Sequence, residues 1–340
     1  MAALPLASEP AIPKPADDDA PLVWVLHDGK AGMASQSLGL AEATGFAFVE
    51  KSLTVHLPWA ILPPQLWLAP LEAVSDNGAR LQPPWPDLVI ACGRNTAAPA
   101  LAIRRASNGR TVTAQIQDPR IGRDAFDLML VPEHDRLRGP RIITTKGALH
   151  RVTAAKLAAA RQRFPELAAL PRPILGVLIG GSNRAYRLTL DQLGAFADAI
   201  AASLRTTGGS VVLTPSRRTG EAGIALLRER LKGLPATIWD MTGDNPYYAY
   251  LAIADAFLVT ADSVSMISEA AATGRPVHIL GLAGGDAKFA RFHQVMREAG
   301  ITRPFAGQVE SWKYAPLDDT ARAGAALRAL VLDRLKARTA

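Results

Sequence analysis

Short apolar runs recur along the chain, and each stops at a small or polar turn before a segment of helical composition. The first series occupies residues 22–26, 87–91, 111–116 and 127–131, and the second occupies 174–179, 210–213, 256–259 and 277–280. Continuous apolar runs of this length predict strands that are buried on both faces, and the segments between them predict helices. The pattern therefore predicts two α/β domains, each built on a parallel sheet.

A proline-rich stretch at 164–173 separates the two series. Prolines clustered in this way are typical of a linker, because they continue neither a helix nor a central strand. The chain therefore divides into four predicted parts: a disordered tail over 1–20, an N-terminal α/β domain over 21–165, a C-terminal α/β domain over 172–316 and a terminal helix over 317–340.

The charge balance narrows the classes of partner. The 340 residues carry a formal net charge of +7, and residues 94–172 alone contain 15 basic and 6 acidic side chains. A basic excess attracts anions such as nucleotide phosphates, acidic acceptors or lipid headgroups. Only 6% of the residues are aromatic, and no recognition motif for DNA or RNA is present, so nucleic acid is not an expected partner.

The cysteine content and the longest uncharged stretch indicate the compartment. Cys92 is the single cysteine, which excludes an internal disulfide and a zinc site built on several thiolates. Residues 52–71 lack formal charge, but their prolines interrupt any helix that would span a bilayer. We expect a cytoplasmic protein, with peripheral contact to the inner face of the cytoplasmic membrane as an option. Trp59, Trp67 and Trp85 then form the candidate membrane patch, and a loop packed on its own domain is the alternative.

The most informative motif spans residues 255–277. A buried strand enters a small polar turn at 260–263, and a short helix follows. Ser263 or Ser265 can cap this helix, whose N-terminal amides favour a diphosphate. Glu269 lies about one turn further along, where it can accept hydrogen bonds from ribose hydroxyls. The alternative is an ordinary cap followed by a solvated glutamate.

This stretch resembles the nucleotide-sugar-binding signature of GT-B glycosyltransferases, in which Ser or Thr, then Glu and Ala, and then Gly-x-Pro-Val follow a strand. The resemblance implies that Glu269 holds the donor ribose and that the reaction needs neither a metal nor a cofactor. The turn at Gly180-Gly181 opens the same domain and lets backbone approach a phosphate. The predicted donor-binding residues are Gly180, Gly181, Ser182, Asn183, Ser216, Arg217, Arg218, Asp262, Ser263, Ser265, Met266 and Glu269.

Two arginines follow another predicted strand of the C-terminal domain. Arg217 and Arg218 can form bidentate hydrogen bonds with the donor phosphates, and a solvated basic turn is the alternative. Lys288 and His293 are further candidates for the cleft that two facing domains would form. A packed face of Phe289 and Phe292 with exposed polar neighbours explains that segment equally well.

Motifs in both halves together resemble the mitochondrial-fission (elongated mitochondria) family over roughly residues 22–310. They are Asp28-Gly29-Lys30-Ala31-Gly32, Pro86-Asp87-Leu88-Val89-Ile90 with Gly93-Arg94, Pro132-Glu133-His134-Asp135 and Thr214-Pro215-Ser216-Arg217-Arg218-Thr219. For bacterial members the resemblance implies a GT-B glycosyltransferase, with two Rossmann-like parallel-sheet domains that face a central cleft. For plant members it implies an adaptor that recruits dynamin at mitochondria.

An inverting sugar transfer needs a base for the acceptor proton and positive charge beside the departing diphosphate. The candidate catalytic residues follow strands of the N-terminal half: Asp28, Glu133, His134 and Asp135, which we favour jointly. The acceptor-side candidates are His27, Lys30, Gly32 and Arg94, with Lys146 as a further one. Hydrogen bonding within loops, without catalysis, is the alternative for each cluster.

The sequence thus predicts transfer of a sugar from a nucleotide-sugar to a cell-envelope glycan or a lipid-linked acceptor. No metal site is predicted, since Asp17-Asp18-Asp19 fall in the tail and Asp318-Asp319 precede a helix as caps. Two alternatives stay open. A nucleotide-sugar epimerase of the same fold converts the donor alone, and a non-catalytic GT-B-like adaptor binds a partner instead.

Overall fold

The computed structural model of the chain describes residues 20–339, so the predicted tail lies outside the described residues except for Ala20. The strands are β1 (Val23–His27), β2 (Val49–Val55), β3 (Val74–Asp76), β4 (Leu88–Cys92), β5 (Val112–Ile116), β6 (Leu128–Pro132), β7 (Ile142–Thr145), β8 (Ile174–Ile179), β9 (Tyr186–Arg187), β10 (Ser210–Pro215), β11 (Ala236–Ile238), β12 (Ala256–Thr260), β13 (Val277–Leu280), β14 (Ala283–Gly284) and β15 (Thr302–Pro304). The helices are α1 (Ala31–Thr44), α2 (Arg94–Ala106), α3 (Ala154–Arg163), α4 (Leu190–Thr207), α5 (Gly220–Arg230), α6 (Tyr247–Ile253), α7 (Val264–Ala271), α8 (Ala287–Glu298) and α9 (Asp319–Thr339). All eight apolar runs form strands, as predicted.

The strands build two large sheets and one small one. The first sheet has the order β3-β2-β1-β4-β5-β6-β7, the second has the order β11-β10-β8-β12-β13-β15, and β14 pairs with β9. The strand pairs of the second sheet are parallel. In the first sheet β1, β2, β4, β5 and β6 run parallel, and β3 is an antiparallel edge strand. The predicted α/β class with parallel sheets is confirmed.

The middle of the second sheet shows why a continuous apolar run forms a strand here. Side chains of a strand alternate between the two faces of its sheet. Val177 and Ile179 of β8 belong to an apolar cluster with α4 residues, whereas Leu178 belongs to the cluster on the opposite face. Gly176 must lack a side chain, because a Cβ there would lie 2.7 Å from the ring of Phe257. Helices cover both faces, so the strand needs no polar positions.

The described chain divides into two compact units. One contains the residues up to Leu130 together with those from Ala323 onward, and the other contains Val131–Arg322. The proline-rich stretch that was predicted as a linker lies inside the second unit, where its 3-10 turn Pro165–Ala169 buries Leu167. The predicted domain bounds stay predictions.

One buried imidazole of the second unit has no hydrogen-bond partner for its ring. His150 is only 4% exposed, and both of its ring nitrogens are unpartnered among the described residues. Burial lowers the pKa of His150 to about 4, because the charged ring would lose its hydration, and nearby Asp319 offsets only part of this effect. The folded protein therefore keeps this ring neutral from pH 7 down to about pH 4.

We expect the free energy of unfolding to fall as the pH drops from 6.5 towards 4. In the unfolded chain His150 takes up a proton near pH 6.5, whereas the folded state takes it up only near pH 4. The contribution of His150 to the free energy of unfolding is complete above pH 6.5. It is lost as the pH falls from 6.5 to 4, at up to about 1.4 kcal/mol per pH unit. The measurement is urea unfolding of the wild type and of His150→Phe at pH 7 and pH 5.

The variant should lose part of the wild-type pH dependence. His56 is exposed, so His56→Phe is the control and should keep the wild-type dependence. Equal pH dependence in the wild type and in His150→Phe would contradict the assignment.

Candidate functional site

Three neighbouring strands of the second sheet end side by side. The strand order places β8 between β10 and β12, and all three run parallel. β8 leads into Gly180-Gly181, β10 into the turn 216–219 and β12 into Asp262. Ligands of open α/β sheets bind at the carboxyl ends of the strands. This edge of the second sheet is therefore the expected place for a ligand.

The carboxylate of Asp262 connects the three strand ends. Its Oδ2 accepts a hydrogen bond from the backbone N–H of Gly181 at 3.1 Å and lies 2.7 Å from Nη1 of Arg218. The same Nη1 donates to the carbonyl of Gly181 at 2.8 Å. The Asp262 side chain is fully buried, and its Oδ1 has no partner among the described residues. We call Asp262, Arg218, Gly180 and Gly181 the carboxylate bracket.

The two glycines of the carboxylate bracket are required by close approach. A Cβ on Gly180 would lie 2.3 Å from Oδ2 of Asp262, and a Cβ on Gly181 would lie 2.5 Å from the backbone carbonyl oxygen of Arg218. Both separations are far shorter than any van der Waals contact. The contacts within the bracket thus explain the glycines by themselves, and approach of a phosphate to this turn stays a prediction.

Hydroxyl groups fix the turn that carries the two arginines. Ser216 Oγ and Thr219 Oγ1 each donate to the carbonyl of Gly180 at 2.7 Å. Arg218 is held by Asp262, whereas Arg217 is exposed and forms no ion pair within the described part of the chain. The turn therefore presents one fixed and one unpaired guanidinium group.

The next two predicted donor-binding residues shape the loop after Gly181. Oδ1 of Asn183 accepts the N–H groups of Ala185 and Tyr186, both at 2.8 Å. Oγ of Ser182 accepts the N–H of Leu188 at 3.0 Å. These side chains hold the turn before and around β9, which pairs with β14.

Ser263 is the cap of α7, one of the two candidates that the sequence offered. Its hydroxyl accepts a hydrogen bond from the N–H of Met266 at 3.4 Å. Ser263 is buried, and Ser265 and Met266 are half-buried in the first turn. The helix that begins here therefore starts beside the carboxylate bracket, directly after Asp262.

Glu269 is a buried residue of α7, so the alternative of a solvated glutamate is wrong. It is 7% exposed, and the hydroxyl of Tyr247 donates to its Oε2 at 2.5 Å. Burial and the negative charge of Glu269 raise the pKa of Tyr247 well above its usual value. Sequence reasoning missed Tyr247, because its distance of 22 residues from Glu269 follows no helical or strand spacing.

The predicted cluster Glu133, His134 and Asp135 forms a 3-10 turn after β6 and belongs to the second unit. His134 is 4% exposed and packs edge-on against Phe292 of α8, with ring centroids 5.7 Å apart. Burial lowers the pKa of His134, so the ring is neutral at pH 7. Asp135 forms an ion pair with Lys288 at 2.9 Å.

His293 and Lys146 also lie in the second unit. His293 is buried on α8, where its Nε2 lies 2.9 Å from the carbonyl of Ala261, and burial lowers its pKa. Lys146 has an exposed side chain, and its backbone N–H donates to Asp319 at 2.7 Å. A catalytic role for either residue stays a prediction.

The first unit places His27 and Asp28 at the carboxyl end of β1. Nδ1 of His27 accepts the N–H of Gly29 at 3.2 Å, which puts the ring proton on Nε2, where it is donated to Glu50 at 2.8 Å. Asp28 forms an ion pair with Lys30 through Oδ2, and its Oδ1 has no partner among the described residues. The partner Glu50 was not predicted.

Two further acceptor-side candidates lie at the starts of helices in the first unit. Gly32 is half-buried in the first turn of α1, and Arg94 is exposed as the first residue of α2. The carboxyl ends of β1 and β4 are neighbours in the parallel sheet, so these residues belong to the same edge as Asp28. Their contact with an acceptor stays a prediction.

The tryptophans that were predicted to form a membrane patch are buried or half-buried. Trp67 is buried, and its indole N–H donates to the carbonyls of Trp59 and Leu62 at 3.1 and 3.2 Å. Trp85 packs edge-on against Trp24 of β1. The same loop instead exposes four large aliphatic side chains: Leu57, Ile61, Leu66 and Leu68. No helix in the described part is both long and apolar enough to cross a membrane.

The family model described as "Mitochondrial fission ELM1" matches residues 31–331 of the chain. The chain belongs to the mitochondrial fission ELM1 family. "Mitochondrial fission protein ELM1" from Arabidopsis thaliana is 37% identical over 271 residues, which cover 72% of this chain and 63% of that protein. The chain thus spans less than two thirds of the length of the Arabidopsis relative.

A second ELM1-family relative spans almost its full length. An uncharacterized protein of Rickettsia prowazekii (strain Madrid E) is 26% identical over 344 residues, covering 87% of this chain and 95% of that protein. The resemblance inferred from the sequence motifs is confirmed by the family match.

Solved structures identify the fold. The chain is similar to a UDP-GlcNAc 2-epimerase from Methanocaldococcus jannaschii with a TM-score of 0.56 at 11% identity, covering 92% of this chain and 99% of that one. It is also similar to a UDP-glucosyltransferase from Polygonum tinctorium with a TM-score of 0.50 at 14% identity, covering 94% of each chain. At these identities the likeness shows the fold alone, and it confirms the predicted GT-B class.

The carboxylate bracket predicts a difference between two glycines. We expect Gly180→Ala to lower the free energy of unfolding by about 1–3 kcal/mol, because its Cβ would collide with a buried carboxylate. Gly194 lies in the interior of α4 with no atom closer than 3.8 Å to its would-be Cβ. Gly194→Ala should therefore be neutral or stabilising by up to about 1 kcal/mol. Urea unfolding of both variants measures the contrast, and equal stability would show that the bracket is not rigid.

Proposed function

We propose that the second unit binds a nucleotide-sugar at the carboxyl edge of its sheet and that the protein transfers the sugar to a cell-envelope glycan or lipid acceptor. The observation that carries the proposal is the double role of α7. Its capped N-terminus lies beside the carboxylate bracket. Five residues after Val264, the first residue of the helix, the buried Glu269 accepts a hydrogen bond from Tyr247. A diphosphate fits the first feature and a ribose fits the second.

Two arginines near the N-terminus of α7 can stabilise the negative charge of a departing diphosphate. Arg217 is exposed without an ion pair in the described part of the chain, and Arg218 is anchored by Asp262. Guanidinium groups bind phosphate oxygens bidentately and stabilise the negative charge that develops as the sugar departs. The GT-B neighbours named above act on UDP-linked sugars according to their descriptions, which supports the same substrate class here.

The proposed reaction moves one sugar between two oxygens. An acceptor hydroxyl oxygen forms a bond to the anomeric carbon, the bond from that carbon to the diphosphate breaks, and a base removes the acceptor proton. Of the four predicted catalytic residues, His134 is buried and neutral and Asp135 is paired with Lys288. Asp28 keeps one carboxylate oxygen without a partner. Asp28 is therefore our first candidate for the base.

A nucleotide panel tests the donor site. We expect UDP or GDP at a hundred times its dissociation constant to stabilise the protein by about 2.7 kcal/mol, measured as a rise in Tm. Glu269→Ala should abolish the rise, because the ribose hydroxyls lose their acceptor. Glu229 is an exposed residue of α5, and Glu229→Ala should keep the rise.

The outcomes of the panel separate the candidate functions. A rise in Tm that survives in Glu269→Ala would contradict the assigned ribose site. No rise with any nucleotide or nucleotide-sugar would overturn the transferase and leave the non-catalytic adaptor as the remaining candidate. Conversion of a nucleotide-sugar without any acceptor would instead identify an epimerase.

We also propose that the loop 57–68 contacts a membrane that carries the acceptor. It holds four of the five large hydrophobic side chains that are exposed in the described residues. The surrounding stretch 52–71 has no formal charge, and the chain has a net charge of +7, which favours anionic headgroups. The loop leaves the carboxyl end of β2, which runs parallel to β1. It therefore starts at the sheet edge that bears Asp28.

Vesicle binding tests this contact. The double variant Leu66→Ser with Leu68→Ser should weaken binding to vesicles containing phosphatidylglycerol by about tenfold or more, because two leucines no longer enter the interface. Leu190 is 51% exposed on α4, and Leu190→Ser should leave binding unchanged. Co-sedimentation measures the bound fraction. Absent wild-type binding, or a dimer that the double variant dissociates, would contradict the membrane contact.

A further inference from the structure

We propose that a cavity in the second unit binds a small zwitterion, namely an α-amino acid with an aliphatic side chain. The cavity has a volume of about 400 Å³ and lies among the 3-10 turn after β6, the end of β7, the segment between α8 and β15 and the residues that lead into α9. All of its lining residues belong to the second unit, and none belongs to the carboxylate bracket or to α7. The inference therefore stands apart from the proposed donor site.

One wall of the cavity is an ion pair whose two groups already have their partners. Oδ2 of Asp319 accepts the backbone N–H groups of Lys146 and Gly147 at 2.7 and 3.1 Å. Its Oδ1 accepts a hydrogen bond from Nη2 of Arg322 at 2.8 Å, and the same Nη2 donates to the carbonyl of Thr144 at 2.7 Å. These contacts tie the end of β7 to the first turn of α9, so this wall is fixed before any ligand binds.

Three other charged side chains line the same cavity and are unpaired. Lys146, Glu133 and Asp318 form no ion pair and no side-chain hydrogen bond within the part of the chain that the structure describes. Lys146 and Asp318 are exposed, and Glu133 is half-buried. A cavity with one unpaired ammonium group and two unpaired carboxylates favours a ligand that carries both kinds of charge.

Ligands with a single kind of charge fit this set of side chains less well. A simple anion that binds Lys146 would also meet the two carboxylates, whose negative charge repels it. A metal ion finds too few ligands, because the described residues contain no group of three or more His, Cys, Asp or Glu side chains that could hold one. An α-amino acid instead offers an ammonium group to Glu133 and Asp318 and a carboxylate to Lys146.

The remaining wall of the cavity is apolar. Ile301 and Leu317 are buried there, and Ala299, Ala315 and Pro316 complete the wall. Small-molecule sites combine such apolar walls with a few charged groups that fix the orientation of the ligand. Their volumes run from about 300 to 1,000 Å³, so this cavity suits a ligand of amino-acid size. The apolar wall accepts an aliphatic side chain while the charged groups hold the two ends of the zwitterion.

Isothermal titration of the full chain tests the site, with glycine, L-alanine, L-valine and L-leucine as probes. We expect at least one aliphatic amino acid to bind about threefold or more tightly than glycine, which has no side chain to place on the apolar wall. Two analogues of the tightest probe should each bind about tenfold more weakly, because one charge-assisted hydrogen bond is lost. One analogue lacks the ammonium group and the other lacks the carboxylate, as 3-methylbutanoate and isobutylamine do for L-valine.

Two variants assign the charges to their residues. Lys146→Met removes the ammonium group but keeps the backbone N–H that Asp319 accepts, and it should weaken the amino acid about tenfold while sparing the analogue without a carboxylate. Glu133→Gln should weaken the amino acid and spare the analogue without an ammonium group. Lys232 and Glu229 are exposed and lie outside the cavity lining, so Lys232→Met and Glu229→Gln are the controls and should keep the wild-type affinity.

Three results would overturn the amino-acid site. The first is that the wild type binds none of the four probes. The second is that the analogue without an ammonium group binds as tightly as the amino acid, which would make the cavity a plain anion site. The third is that Lys146→Met and Glu133→Gln both keep the wild-type affinity, which would place the amino acid elsewhere. Urea unfolding checks that each variant folds, and Asp318→Asn replaces Glu133→Gln should that variant not fold.

Discussion

The buried carboxylate of Asp262 is the constraint on which the second unit's ligand edge depends. A fully buried charge is stable only when it is paired and hydrogen-bonded. Asp262 obtains its partners from Arg218 and from the N–H of Gly181, so three loops that are distant in sequence must come together. Two glycines and two hydroxyl side chains are then needed to bring the backbone close enough. The local shape of this edge follows from the need to supply protein partners for one buried carboxylate.

A second carboxylate is placed by the same helix. Because Asp262 sets the position of the residue that caps α7, the helix is fixed at its start, and Glu269 is carried into the interior where Tyr247 meets it. The two acidic groups have different tasks. Asp262 holds the loops together, and Glu269 accepts a hydrogen bond from Tyr247 in the interior of the second unit. Membership of the mitochondrial fission ELM1 family is thus combined with a GT-B fold.

The first unit places apolar and polar side chains near the carboxyl ends of β1 and β2. Trp67 and Trp85 pack inward, because the N–H of Trp67 finds carbonyl partners within the loop and the ring of Trp85 packs on Trp24 of β1. The aliphatic side chains of the same loop find none and remain exposed. At the neighbouring strand end, Asp28 and Lys30 pair while His27 is locked to Glu50. One sheet edge of the first unit therefore carries both exposed apolar and polar side chains.

The sequence by itself determined the fold class and most of the elements, because a strand buried on both faces must be apolar throughout and leaves a local signal. Ile174–Ile179 and Val277–Leu280 coincide with β8 and β13, whereas β2 was missed because Glu50 and Lys51 interrupt its apolar pattern. The family motifs likewise marked Asp262, Ser263 and Glu269. Only the tertiary structure decided which partners these residues contact. Tyr247 contacts Glu269, and the backbone N–H of Gly181 contacts Asp262, because strand order and helix packing bring together residues that are 22 and 81 positions apart. No spacing rule encodes such contacts, since they depend on which faces of distant elements are buried against each other.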